Sequence, residues 1–331
     1  MRYQSFVALA GLLAAGSAAP LAFAQALAPS PVDQGLFQFE IYKLQPASGP
    51  TFLLQGPDGN LWFSNIGLNQ IATFDIARQV LRTFPLPQPN SRVLVMSDAP
   101  DGNVWYAVSS SGMIASITPA GGITEVVMPR RTGAAGLGPG PDGNLWITEG
   151  VDDKIARFDL SLRTFSEFQL PHPGSGPCKI TTGPDGAIWF TELAGGRIGR
   201  LTLAGQLTEF AVPTPNAQPF MIVNGPDGAL WFTEYNAGKI GRITTAGEIT
   251  EFPTSNAATF PMHIVVAPDH SLWFTEVGGN ALGRITAHGE LTEFRFGGAD
   301  TSPDGISVGS DNRIWFTQYT GDALGAVLAP E

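Results

Sequence analysis

Pro226-Asp227-Gly228-Ala229-Leu230-Trp231-Phe232-Thr233-Glu234 is the stretch that decides the fold. Its first three residues make a turn, in which Pro presets φ and Gly accepts positive φ. The aromatic-rich run that follows is strand-like and too brief for a helix. The same pattern recurs as PDGNLWFSN from Pro57, PDGNVWYAV from Pro100, PDGNLWITE from Pro141, PDGAIWFTE from Pro184, PDHSLWFTE from Pro268 and SDNRIWFTQ from Ser310. All seven tryptophans of the chain belong to it: Trp62, Trp105, Trp146, Trp189, Trp231, Trp273 and Trp315. They are spaced by 43, 41, 43, 42, 42 and 42 residues. A fixed period of this length marks a repeat architecture, and it overrides the two-domain expectation that 331 residues would otherwise raise.

Outward from that stretch, the fifth unit reads as four short strands. Phe220–Asn224 is an apolar first strand, Ala229–Glu234 the second, Lys239–Thr244 the third and Glu248–Pro253 the fourth. The turns Asn236-Ala237-Gly238 and Thr245-Ala246-Gly247 separate the last three. Four antiparallel strands in about 42 residues describe a propeller blade. The expected fold is therefore all-β, a seven-bladed β-propeller with four antiparallel strands per blade. The seventh unit stops after its third strand, near Ala323–Leu328, while residues 36–44 (LFQFEIYKL) alternate like a fourth strand. The N-terminal strand is expected to complete the last blade and close the ring. A Trp in every unit, flanked by Leu, Ile, Val or Phe, is expected to pack between blades.

The ends and the composition bound the rest. Met1-Arg2, the apolar run Phe6–Ala19 and Ala22-Phe23-Ala24 have the layout of a signal peptide cleaved after Ala24. The expected organisation is a leader over residues 1–24, a linker over 25–35 and one propeller domain over 36–331, periplasmic or secreted, with no membrane attachment after cleavage. A single cysteine, Cys178, allows no intrachain disulfide. The net charge of −11, without any run of Lys or Arg, argues against nucleic acid as a partner. Closed blades favour a monomer.

The pairing of the repeat with the segments Arg197-Ile198-Gly199-Arg200-Leu201-Thr202, Lys239-Ile240-Gly241-Arg242-Ile243-Thr244 and Ala281-Leu282-Gly283-Arg284-Ile285-Thr286, followed by Thr-Glu-Phe fourth strands at 208–210, 250–252 and 292–294, resembles the virginiamycin B (streptogramin B) lyase family. The resemblance covers residues 36–331. It implies a seven-bladed propeller and elimination at the ester of a cyclic depsipeptide, with Mg2+ and a histidine base. It places the functional side chains at the strand entrances on one face. Its pattern is a Tyr entering the first blade, a His entering the sixth, Glu-Pro-His entering the seventh and a Glu after the seventh Trp-Phe. Here these positions hold Thr51, Met262, Ser302-Pro303-Asp304 and Thr317-Gln318-Tyr319. His263 follows Met262, but strict strand alternation would turn it to the opposite face.

Counting back from each Trp, the residues entering the first strands are Thr51, Leu94, Ala135, Cys178, Phe220, Met262 and Asp304. The second strands end on the same face with Asn65, Val108, Glu149, Glu192, Glu234, Glu276 and Gln318. This predicts a largely apolar funnel with an arc of carboxylates outside it, suited to a small-molecule or peptide ligand. Asp304 is the candidate catalytic base. Thr51, Cys178, Phe220 and Met262 are candidate substrate-binding residues, and Glu276 and Gln318 candidate metal ligands with Asp304. The bland alternatives are an Asp304 that caps its own turn, glutamates that form structural bonds, and an inert Cys178. His172, His270 and His288 fall in turns or linkers and are expected to be solvated. Three activities follow: a lyase of the streptogramin class with a rearranged site, a non-catalytic ligand- or protein-binding propeller, and a lactonase-type hydrolase. No nucleophile elbow, P-loop, dinucleotide fingerprint or zinc-spaced Cys/His cluster is present.

Overall fold

The computed structural model describes residues 23–34, 37–129 and 133–328. They form seven antiparallel sheets, one per repeat. The innermost strands are Pro50–Gln55, Met96–Asp98, Gly136–Pro139, Pro177–Thr182, Pro219–Asn224, Pro261–Val266 and Pro303–Val308. Each touches the innermost strand of the next blade, and the last touches the first, so the ring is closed around one axis. The fifth blade continues outward through Leu230–Glu234, Lys239–Ile243 and Ile249–Pro253, within a residue or so of the sequence reading. First-strand entrances, second-strand ends and the linkers between blades share one face of the ring. The Pro-Asp-Gly turns lie on the other.

Closure follows the predicted route. Phe37–Lys43 pairs antiparallel with Ala323–Val327, in the register Phe39↔Val327, Ile41↔Gly325 and Lys43↔Ala323. Ser30–Gln34 folds back on it as a fifth strand of that sheet, and Phe23–Ala26 joins the outer strand Val80–Pro85 of the first blade. Residues 25–34, read from the sequence as a linker, thus carry strand structure. The leader expected over residues 1–24 lies outside the described residues through residue 22.

The tryptophans hold neighbouring blades together. Trp231 of the fifth blade packs with Leu272, Phe274 and Ile285 of the sixth, and Trp315 of the seventh with Leu61, Phe63 and Phe74 of the first. The turn that precedes each Trp is wired to it. Trp231 Nε1 donates to Asp227 Oδ1 at 3.0 Å, and Arg242 Nε donates to the other oxygen at 2.5 Å. The same Trp–Asp bond recurs at Trp62, Trp105, Trp146, Trp189 and Trp315. The recurring Gly-Arg of the third strand has two jobs here. Its Arg clamps the turn, and its Gly leaves room for a ring: a Cβ on Gly241 would collide with the Phe232 side chain.

Candidate functional site

The innermost strands do not enter their sheets as regular strands. In five blades the pairing with the second strand shifts just after the first residue, between Pro50 and Leu53, Pro177 and Ile180, Pro219 and Ile222, Pro261 and Ile264, and Pro303 and Ile306. Two residues per blade are thereby released from the ladder. A bulge of this kind breaks side-chain alternation and re-aims side chains.

The threonine of each Trp-Phe-Thr-Glu run repairs the ladder. Thr233 Oγ1 accepts the Met221 N–H at 3.0 Å and donates to the Met262 carbonyl of the next blade at 2.8 Å. Thr191 bridges Lys179 N–H to Phe220 O, and Thr275 bridges His263 N–H to Asp304 O, in the same way. These hydroxyls are fully buried and join blades four to seven in series. Sequence reasoning missed this link, although a Thr two residues after the Trp in most units was its signal.

The bulges overturn the expectation for His263. Its ring does face the axis, because alternation fails where two residues leave the ladder together. It meets the Phe52 ring edge-on at 5.3 Å and the Phe220 ring at 5.6 Å. Its Nδ1 lies 3.0 Å from the Asp304 carbonyl oxygen and 3.4 Å from Asp304 Oδ1. A carbonyl only accepts, so the network assigns the proton to Nδ1 and leaves Nε2 as a bare acceptor. Nε2 is buried and has no hydrogen-bond partner. Burial, with Lys179 nearby, holds this imidazole far down, at about 3, and so neutral.

Lys179, passed over in the sequence, is the fifth member. Its ammonium sits 5.2 Å from the Phe220 ring centre and 5.5 Å from that of Phe52, and it donates to the Ala135 carbonyl at 3.3 Å. Burial pushes its pKa down. Burial pushes the Asp304 carboxyl up to about 7, against the pull of Lys179. Asp304, His263 and Lys179 are 8%, 5% and 5% exposed, so the axis is a closed polar knot rather than an open funnel.

The other predicted site residues separate from this knot. Thr51 is buried and bonds to Ser64 Oγ. Cys178 is a buried free thiol, raised by burial, whose carbonyl rather than sulfur is bonded, to Thr148. Leu94 and Ala135 precede the short inner strands of blades two and three. Phe220 and Met262 do come together: with Leu193, Gln218 and Tyr235 they line a shallow apolar pocket of about 50 Å³. Tyr235 stacks on Phe260 at 5.1 Å and extends this surface. The larger pocket, about 220 Å³, lies against the outer part of the first blade beside Gln25, away from the axis.

The arc of glutamates does not rim a funnel. Glu149, Glu192, Glu234 and Glu276 are fully buried beneath the linkers. Glu234 neighbours Glu251, and burial followed by that second carboxylate pushes it up to about 8. Glu276 stands in the same relation to Glu293 and reaches about 8 as well. The fourth-strand partners clasp the linkers: Glu251 accepts from Thr214 N and Oγ1 at 2.9 and 2.7 Å, and Glu293 from Ser255 N at 2.6 Å. His172 is exposed, as expected, and its ring also meets Glu209 at 2.5 Å.

A family model described as the virginiamycin B lyase family matches residues 34–157 and 126–330. The chain belongs to the virginiamycin B lyase family. It is similar to a solved streptogramin B lyase, with 35% identity and a TM-score of 0.83 over 88% of this chain and 97% of that one. It is equally similar to virginiamycin B lyase from Staphylococcus aureus, at 35% identity and TM-score 0.83, covering 88% and 99% of the two chains. A catalytically inactive form of that enzyme with quinupristin matches at 34% identity, TM-score 0.83 and the same coverage. No curated protein matches the chain in sequence.

Membership of the virginiamycin B lyase family implies Mg2+, and the residues present do not make a site for it. Mg2+ needs several oxygen ligands in octahedral array. Glu276 faces Glu293 and Arg295, and the group nearest Asp304 in charge is an ammonium. Among the described residues no three His, Cys, Asp or Glu side chains converge. The same geometry gives a lactonase-type metal ring no support.

Proposed function

We propose that this member of the virginiamycin B lyase family is an exported, monomeric propeller that binds a small-molecule or peptide ligand through an apolar group seated over Phe220, Met262 and Tyr235, without metal-assisted ring opening. One observation carries the reading. The axis below that surface is closed by Phe52 and Phe220 over His263 and Lys179, while Phe220 and Tyr235 of the surface itself stay half-buried. Concave apolar surfaces with a few polar groups suit ligands of this kind. Leader-like residues 1–24 support export, and the closed ring supports a monomer.

Quinupristin, which stands in the structure of an inactive relative, is a suitable probe. Calorimetry with the exported protein is expected to give saturable binding that Tyr235→Ala weakens about tenfold, as losing a central aromatic contact does. An absence of binding to quinupristin and to shorter aromatic peptides, or an unchanged affinity in the variant, contradicts the proposal.

A second reading, ester elimination with Asp304 as the base, is favoured by the Asp304 carboxyl standing at about 7, inside the range a general base needs. It requires the side chains that cover the axis to part, because Asp304 is only 8% exposed.

A further inference from the structure

The centre of the ring holds a lysine side chain. Of the four lysines in the sequence, Lys43 donates to the Gly321 carbonyl, and Lys154 and Lys239 pair with the outer glutamates Glu167 and Glu251. Lys179 alone points inward. Its place is built: two aromatic faces from different blades flank the ammonium, a carbonyl from a third accepts its proton, and the Thr191 hydroxyl fixes its backbone N–H. Cations over aromatic faces are held by the ring quadrupole, most strongly where water is excluded. Across the axis stand the Asp304 carboxyl and the neutral His263 with its unpartnered Nε2.

We propose that Lys179 is a built-in cation at the axis, so that this chain's centre is organised by its own ammonium and without a divalent metal. Three observations converge on it: the two-ring cradle, the absence of converging metal-ligating side chains among the described residues, and the presence of a carboxylate and an imidazole facing the same centre. An ammonium fixed here repels an incoming dication, and His263 Nε2 and Asp304 then act as acceptors rather than ligands. The inference does not depend on the ligand-binding proposal, because it concerns the protein without ligand.

Two measurements test it on the whole chain. Electron paramagnetic resonance of free Mn2+ is expected to show no site filled below about 1 mM in the wild-type protein. One Mn2+ bound per chain, and lost in Asp304→Asn, overturns the proposal. In Lys179→Ala the melting temperature is expected to fall by about 5 °C or more. n-Butylammonium is expected to recover at least half of that loss, while n-butanol, of similar length but uncharged, recovers little. Equal rescue by the alcohol, or no rescue by the amine in a folded variant, shows that the site needs bulk rather than charge and overturns the proposal. Should Lys179→Ala fail to fold, the Mn2+ measurement on the wild type decides alone.

Discussion

Single residues carry this fold through bonds that recur blade after blade. Thr233 joins two blades with one hydroxyl, accepting from Met221 N and donating to Met262 O. Thr233→Val keeps the shape and strands both partners in a dry interior, which costs about 1–3 kcal/mol for each group left unpaired. A clearly lowered denaturant midpoint with an unchanged slope is the expected result. Glu234 bears on pH. Its folded-state value of about 8 lies above its ordinary 4.5, so the native state keeps a proton that the unfolded chain releases between those two values. Its contribution to stability is therefore full below about pH 4.5 and is lost as pH rises to about 8. Glu234→Gln, which is always neutral, is expected to melt higher than wild type at about pH 9 and close to it at about pH 4.5. Scanning calorimetry at the two pH values measures both. The sequence made Glu234 visible as a repeated residue, but the structural hydrogen bond weighed for it there is not the arrangement found: both its carboxyl oxygens are buried without a hydrogen-bond partner, beside Glu251. What pattern alone could not show was the proximity of Glu251, seventeen positions away and two strands over.

At the scale of elements, closure and bulges matter most. Phe37–Lys43 is the fourth strand of the last blade, and its Phe39, Ile41 and Tyr42 are buried there. Deleting residues 23–43 opens the ring and exposes the edge of Ala323–Val327. The melting temperature is expected to fall by about 10 °C or more, whereas deletion of 23–34 alone, which spares that strand, costs far less. Similar losses from the two deletions would contradict closure as a source of stability. The strand was legible in the sequence because alternation and the missing seventh-unit strand pointed to each other. The entrance bulges were not legible. They arise where Pro50, Pro177, Pro219, Pro261 and Pro303 begin strands that must curve toward the axis, and period-two reasoning then fails by one residue. That single slip hid His263 and Lys179, while Phe220, Met262 and Asp304 were found because they occupy the first released position.

The whole molecule is a closed ring whose family membership and whose centre point to different chemistry. Its repeats, its fold and its 35% identity belong with the virginiamycin B lyases. Its axis holds Lys179, Asp304 and His263 behind Phe52 and Phe220. A scaffold of this kind can keep its blades while its site changes, because the tryptophans and their aspartates stabilise the ring from the side opposite the entrances. The most direct test is liquid chromatography with mass spectrometry of quinupristin incubated with the exported protein and Mg2+. The account predicts cyclic quinupristin recovered intact at high protein concentration. A linear product of unchanged mass, formed with Mg2+ and abolished by a chelator, would contradict it.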